Sequence, residues 1–229
     1  MAYTYEFLWQ WQQSEEEFKR AIDLKPNYPT AHHWYSLYLR DVGRFEQGET
    51  EIKRAQELDP LSLIIGQNVA QVYVTRGDSN SAIEQARRLI DLDPNYPRGH
   101  EQLGLAYLKQ GRYSEAITEL RKAVDLSSAG DRRTLASLGY AYTVSGQRPE
   151  ALALLKELTA KYERREALGR DVAGVYAGLG DKDQAFAWLE KDFQARSGML
   201  VRIRWEFAFE SLRSDPRFAD LLRRMGLPQ

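Results

Sequence analysis

The 229 residues include no cysteine, which excludes disulfides, thiolate-held metals and thiol nucleophiles. There is no excess charge of either sign. Lys plus Arg number 32 and Asp plus Glu 33, for a net charge of −1, so no field for holding a polyanion exists and nucleic acid is not expected as a partner. No apolar run reaches the ~18 residues that a membrane span needs, so membrane insertion is not expected. The opening Met-Ala-Tyr-Thr-Tyr-Glu lacks the basic and apolar parts of a signal peptide, and cytoplasm is the expected compartment. Histidine is scarce, with only His32, His33 and His100. The adjacent pair is ill-placed to share an ion, because helical metal pairs want i, i+4 spacing. Phosphate loops and dinucleotide glycine patterns are missing too. Asp91 and Asp93 fall at a helix end, and Glu15, Glu16 and Glu17 near a helix start, where negative charge favours the macrodipole. No catalytic residue, cofactor or metal site is expected, and the chain reads as a non-enzyme.

What the chain does have is a period. A hydrophobic fraction of 43% and a charged fraction of 28% suit a packed protein rather than a disordered one. Pro26, Pro60 and Pro94 are spaced by 34, as are Gly43, Gly77 and Gly111; Gly146 and Gly180 follow at steps of 35 and 34. Five positions after each of these glycines stands a small residue: Gly48, Ala82, Ala116, Ala151 and Ala185. Leu24, Leu58, Leu92 and Leu126 keep the same step, and Tyr73, Tyr107, Tyr142 and Tyr176 each precede a turn glycine by four. Several position classes sharing one period mark a repeat of one supersecondary unit.

Each unit reads as two helices. Around residues 97–131, Leu103, Gly104 and Tyr107 share one helical face, and Ala116, Leu120 and Ala123 share another. Gly111 lies between them, where a helix end needs the left-handed conformation that glycine accepts. Gly104 and Ala116 let the two backbones approach. Proline after Asp59 or Asp93 ends the second helix. Five hairpins are expected, beginning near Pro29, Leu63, Pro97, Arg132 and Glu166. Residues 1–28 supply a partial N-terminal repeat, mainly its second helix, as though the array were part of a longer chain. Residues 29–198 carry the five hairpins, and 199–229 a C-terminal cap with a final short helix. In that last part the period fails and apolar residues crowd from Met199 to Leu212. The expected role is a lid on the fifth hairpin, with a docking surface around Trp205–Phe209 as the alternative. Ser214 is the expected N-cap of a final helix that Gly226 and Pro228 end.

A 34-residue helix–turn–helix with Leu-Gly-x-x-Tyr, a turn glycine, a small residue and a closing proline resembles the tetratricopeptide repeat. The resemblance implies an all-α, right-handed solenoid that binds proteins. The runs Glu-Phe-Lys-Arg-Ala-Ile, Asn-Tyr-Pro-Thr-Ala-His-His-Trp-Tyr and Leu-Arg-Ser-Asp-Pro-Arg-Phe-Ala-Asp-Leu-Leu further resemble C-terminal repeat regions of large bacterial regulators. In these, a winged-helix, serine/threonine kinase or cyclase domain precedes the repeats. Arg204–Phe209 departs from that pattern.

In the tetratricopeptide family, first helices line a concave groove, and the resemblance implies ligand contacts at fixed positions along them. Those positions are His33, Trp34 and Leu37; Gln67, Asn68 and Gln71; Arg98, Glu101, Gln102, Leu105 and Lys109; Arg133, Ser137 and Tyr140; and Arg170 and Asp171. Amides can bond a peptide backbone in both directions and arginine can grip a carboxylate, so an extended, somewhat acidic peptide is the expected ligand. It could come from a separate protein or from an effector domain of the same parent chain. The chaperone-tail clamp of related repeats is not expected, because His33, Leu37 and Gln102 replace three of its five members. The alternative function is structural: self-association as a homo-oligomer through open ends, around Tyr5, Phe7, Trp9 and Trp11 at the N-terminus.

The close helix approach is testable. Gly104→Leu and Ala116→Arg should each lower stability by about 1–3 kcal/mol through overpacking; thermal melting unchanged in either variant would contradict the assigned register.

Overall fold

The computed structural model describes residues 9–128 and 131–227. Among them are twelve α-helices and two 3-10 segments. Helix α1 is Trp11–Leu24. Five hairpins follow: α2 Pro29–Asp41 with α3 Phe45–Leu58, α4 Leu63–Arg76 with α5 Ser79–Leu92, α6 Pro97–Lys109 with α7 Tyr113–Leu126, α8 Arg132–Val144 with α9 Arg148–Glu163, and α10 Gly169–Gly178 with α11 Lys182–Gln194. The 3-10 segments η1 (Gly198–Arg204) and η2 (Phe207–Leu212) lead into α12, Pro216–Arg224. The architecture is an all-α, right-handed solenoid with a capping segment.

Local chemistry accounts for the helix ends. The periodic glycines from Gly43 to Gly180 all take positive φ, between +72° and +86°, which any Cβ would strain. Pro29 and Pro97 open α2 and α6, where a missing N–H costs nothing. Asp131 and Asp181 cap α8 and α11 by accepting backbone N–H bonds from Arg133 and Gln184. The fifth hairpin begins at Gly169, a little later than the expected Glu166, because α9 runs on to Glu163 and the chain turns at Arg165, whose φ is +61°. The cap of α12 is Asp215 rather than the expected Ser214: its carboxylate accepts the Arg217 N–H at 3.1 Å. Pro228 lies outside the described residues.

The small periodic residues sit where helices touch. Ala82, Ala116, Ala151 and Ala185 are wholly buried. A Cβ on Gly104 would come within 2.6 Å of Leu120 Cγ and 3.0 Å of the Ala116 carbonyl, so α6 rests directly on α7.

The expected lid on the fifth hairpin needs correcting in extent. Segment η2 does pack on α10, but η1 reaches the opposite end of the solenoid and packs on α2. Trp205 Nε1 donates to Asp41 Oδ1 at 2.6 Å, and the Arg40 guanidinium lies 4.1 Å from the Trp205 ring centre. Trp11 Nε1 donates to the Met225 carbonyl at 3.1 Å, and Trp9 stacks on Phe193. One buried cluster therefore joins Phe18, Tyr38 and Leu39 at the start of the chain to Leu200, Ile203, Phe209 and Met225 at its end. The aromatic segment is not an open docking surface either, since Trp205 and Phe209 are buried. Burial of Leu200, Val201, Ile203, Phe209 and Leu212 contributes about 1.5–3 kcal/mol each. The segment is part of the core and not a detachable flap.

Phe209→Ala should then cost about 3–5 kcal/mol and lower the melting of the whole chain in one transition. A loss confined to a separate late transition, with the early repeats unaffected, would contradict closure of the ring.

Candidate functional site

First helices α2, α4, α6, α8 and α10 line the inside of the curve, and side chains at successive helical turns meet there. At its centre is Glu101 on α6, with no exposed surface. Arg98 Nη1 donates to it at 2.9 Å, Ser137 Oγ at 2.9 Å, and Arg133 Nε lies 3.3 Å away. Burial alone would raise the Glu101 carboxyl, but Arg133 and Arg98 hold it below the usual carboxylate range. Arg98 also pairs with Asp131. Gln71 Oε1 accepts from Gln102 Nε2 at 3.3 Å and from Arg133 Nη2 at 3.2 Å, tying α4, α6 and α8 together. Beside this network, Arg132 donates to Asp171 at 2.6 Å. Charge pairs and hydrogen bonds stiffen such a floor, although Gln102 Oε1 and Arg170 Nε are buried without a hydrogen-bond partner among the described residues.

Of the expected contact residues, His33, Leu37, Gln67, Gln71, Glu101, Gln102, Leu105, Arg170 and Asp171 are buried, and they form this floor or its neighbours. Trp34, Asn68, Arg98, Lys109, Arg133, Ser137 and Tyr140 are half-exposed and form a strip above it. At the α2–α4 end, Asn68 Nδ2 donates to His33 Nε2 at 2.9 Å. An amide N–H can only donate, so that ring nitrogen carries no proton. Burial, with help from Arg40, lowers the His33 pKa to about 4. Gln67 accepts from the Tyr96 hydroxyl at 2.8 Å.

At the α8–α10 end the chain's own segment occupies the groove. Arg170 donates to the Met199 carbonyl at 2.9 Å and to Glu206 Oε1 at 2.6 Å. Lys109 Nζ donates to Glu210 Oε2 at 3.0 Å, and Tyr140 meets the Phe207 ring edge-on at 5.0 Å. Burial first, then the nearby Glu210, pushes the Tyr140 phenol up to about 12. What remains between the floor and η2 is a cavity of about 60 Å³. Sequence reasoning missed this occupancy. Leu105, which lines that cavity, carried a signal: it is apolar where an open groove would be polar.

The chain's other two histidines are structural. His32 bridges Glu51 at 2.6 Å and the Pro26 carbonyl at 2.8 Å. Two repeats later, His100 bridges Glu119 at 2.7 Å and the Pro94 carbonyl at 3.1 Å. No group of three or more His, Asp or Glu placed to hold a metal ion occurs among the described residues, and no helix among them is long and apolar enough to cross a membrane.

Residues 70–131 match the family described as tetratricopeptide repeat. A crystal structure of a thermophilic TPR protein of Thermus thermophilus superposes with a TM-score of 0.61 at 22% identity, covering 80% of this chain and 100% of that one. The fold is a tetratricopeptide solenoid. PilW, a type IV pilus biogenesis factor, is similar over 92% of this chain and 94% of its own, with a TM-score of 0.62 at 14% identity. A MamA structure gives 0.54 at 22% identity, over 72% of this chain and 96% of that one. At such identities the likeness is one of fold. Tetratricopeptide arrays generally serve protein–protein contact through their extended concave surfaces.

His33 gives a pH prediction. Its folded pKa lies below the ordinary value of 6.5, so between those values the unfolded chain binds the extra proton and stability falls as pH drops. From pH 7 to pH 4.5 this histidine should cost about 2–3 kcal/mol. Urea unfolding at the two pH values should show a smaller loss in His33→Gln than in the parent; equal losses would mean that His33 is charged in the folded protein.

Proposed function

We propose that this chain is a protein-interaction scaffold that takes an extended partner segment along the half-exposed strip Trp34, Asn68, Arg98 and Arg133 of its concave face. The supporting observation is the anchoring of that strip: buried Glu101 holds Arg98 and Arg133 from behind and buried Gln71 accepts from Arg133, so little side-chain entropy is lost on binding. The chain's own residues 199–210 support the ligand type. Lys109, Tyr140 and Arg170 meet two carboxylates, an aromatic ring and a backbone carbonyl of that segment, the groups an extended acidic peptide presents. The sequence resemblance to bacterial regulators makes an effector domain of a longer parent chain one fitting source of the partner segment, in the cytoplasm. Self-association through open ends draws no support from Trp9, stacked on Phe193 of α11, or from Trp11, bonded to the Met225 carbonyl; Tyr5 and Phe7 lie outside the described residues.

Glutamate at Arg98 or Arg133 would leave Glu101 buried against a second carboxylate and unfold the floor. The test therefore uses side chains that reach solvent. Affinity capture from the source lysate should retain a protein on the parent and lose it on a Trp34→Ala, Asn68→Ala variant that melts cooperatively. The same proteins on both would remove the concave strip as the binding site.

A further inference from the structure

A second cavity shares no lining residue with the concave strip. It is a cleft of about 530 Å³ between α2–α4 on one side and η1–α12 on the other, where the two ends of the chain meet. Its apolar wall includes Phe45, Val72, Phe218 and Leu222, with Phe45 left 41% exposed at the rim. Its polar wall consists mainly of arginine: Arg40, Arg76, Arg204 and Arg213. No aspartate or glutamate is among the described residues that line it. Arg76 pairs with Glu49 and Arg213 with Glu210, both carboxylates set outside the lining, and Arg204 donates to the Val42 carbonyl at 3.5 Å.

Arg40 is different. It is 2% exposed, and neither Nη1 nor Nη2 has a hydrogen-bond partner among the described residues. The Trp205 ring stacks on it, and burial lowers its pKa to about 10. A buried guanidinium with unbonded nitrogens is costly to a fold; the carboxylates of Asp41 and Glu206, outside the lining, offset part of its charge, while Arg202 and Arg133 add to the positive field around it. The cleft's volume lies within the range of small-molecule pockets, roughly 300–1,000 Å³, and apolar walls with a few charged groups are the usual make-up of such pockets.

From this combination we infer that the cleft binds a small organic anion with an apolar body, a carboxylate on an aliphatic or aromatic tail. The tail lies against Phe45, Val72 and Leu222, and the head sits in the field of the four arginines. Because the walls come from opposite ends of the chain, an occupant ties the first hairpin to the terminal helix and stabilises the closed ring. This site is independent of the concave strip, and either can fail without the other.

The test titrates the full chain with decanoate, decan-1-ol and decyltrimethylammonium, by calorimetry and thermal melting. Decanoate should bind saturably at one site and raise Tm, with the alcohol and the ammonium weaker by about tenfold or more. Ala219→Trp fills the cleft from an exposed position on α12, and Arg76→Gln removes a charge whose side chain is 61% exposed. Each should weaken decanoate by about tenfold while preserving the melting profile. Absence of saturable decanoate binding, equal affinity for the alcohol, or unchanged binding in Ala219→Trp would overturn the site.

Discussion

A solenoid of stacked hairpins has two apolar ends that water must not reach, and here one segment covers both. Residues 198–212 leave the last hairpin, cross the inside of the curve and bury Leu200, Ile203 and Phe209. They then contact the first hairpin through Trp205, Asp41 and Arg40. The remaining features follow from that placement. The concave face is filled at its α8–α10 end, a half-exposed strip is left along α2–α8, and a positively lined cleft opens where the segment fails to fill the gap. In an open array each repeat contacts only its neighbours and stability is a sum along the chain; contact between residues more than 160 apart in sequence makes the first and last hairpins depend on each other.

The hairpins were legible because their chemistry is local. A glycine every 34 or 35 residues, a proline after the second helix and alanine at each crossing all act within one repeat, so period and structure coincide. Ser214 was misjudged for a small reason: Asp215, one residue on, caps equally well, and only the path of the chain decides between them. The course of residues 199–212 was illegible for a larger one. An apolar run without periodicity states that it is buried but not against what, and a segment that leaves the repeat has no neighbour to set its register.

The concave residues show the same division. Family positions located the right helices and the right faces, yet they could not separate floor from strip. His33, Gln71, Glu101 and Arg170 look like polar contact residues in sequence, but they are buried because each finds its partner on a neighbouring helix or on the returning segment. Arg40 was passed over because it lies outside the usual contact positions; its character comes from Trp205, which is remote in sequence.

Closure of the ring is the central claim, and native-state hydrogen exchange tests it most directly. Amides of α2 around Leu39 and of α10 around Val175, both buried in the shared cluster, should open with the same free energy and the same denaturant dependence. If the α2–α3 hairpin opened at much lower free energy while α10 and η2 stayed protected, the chain would be an open solenoid and the contact across its ends incidental.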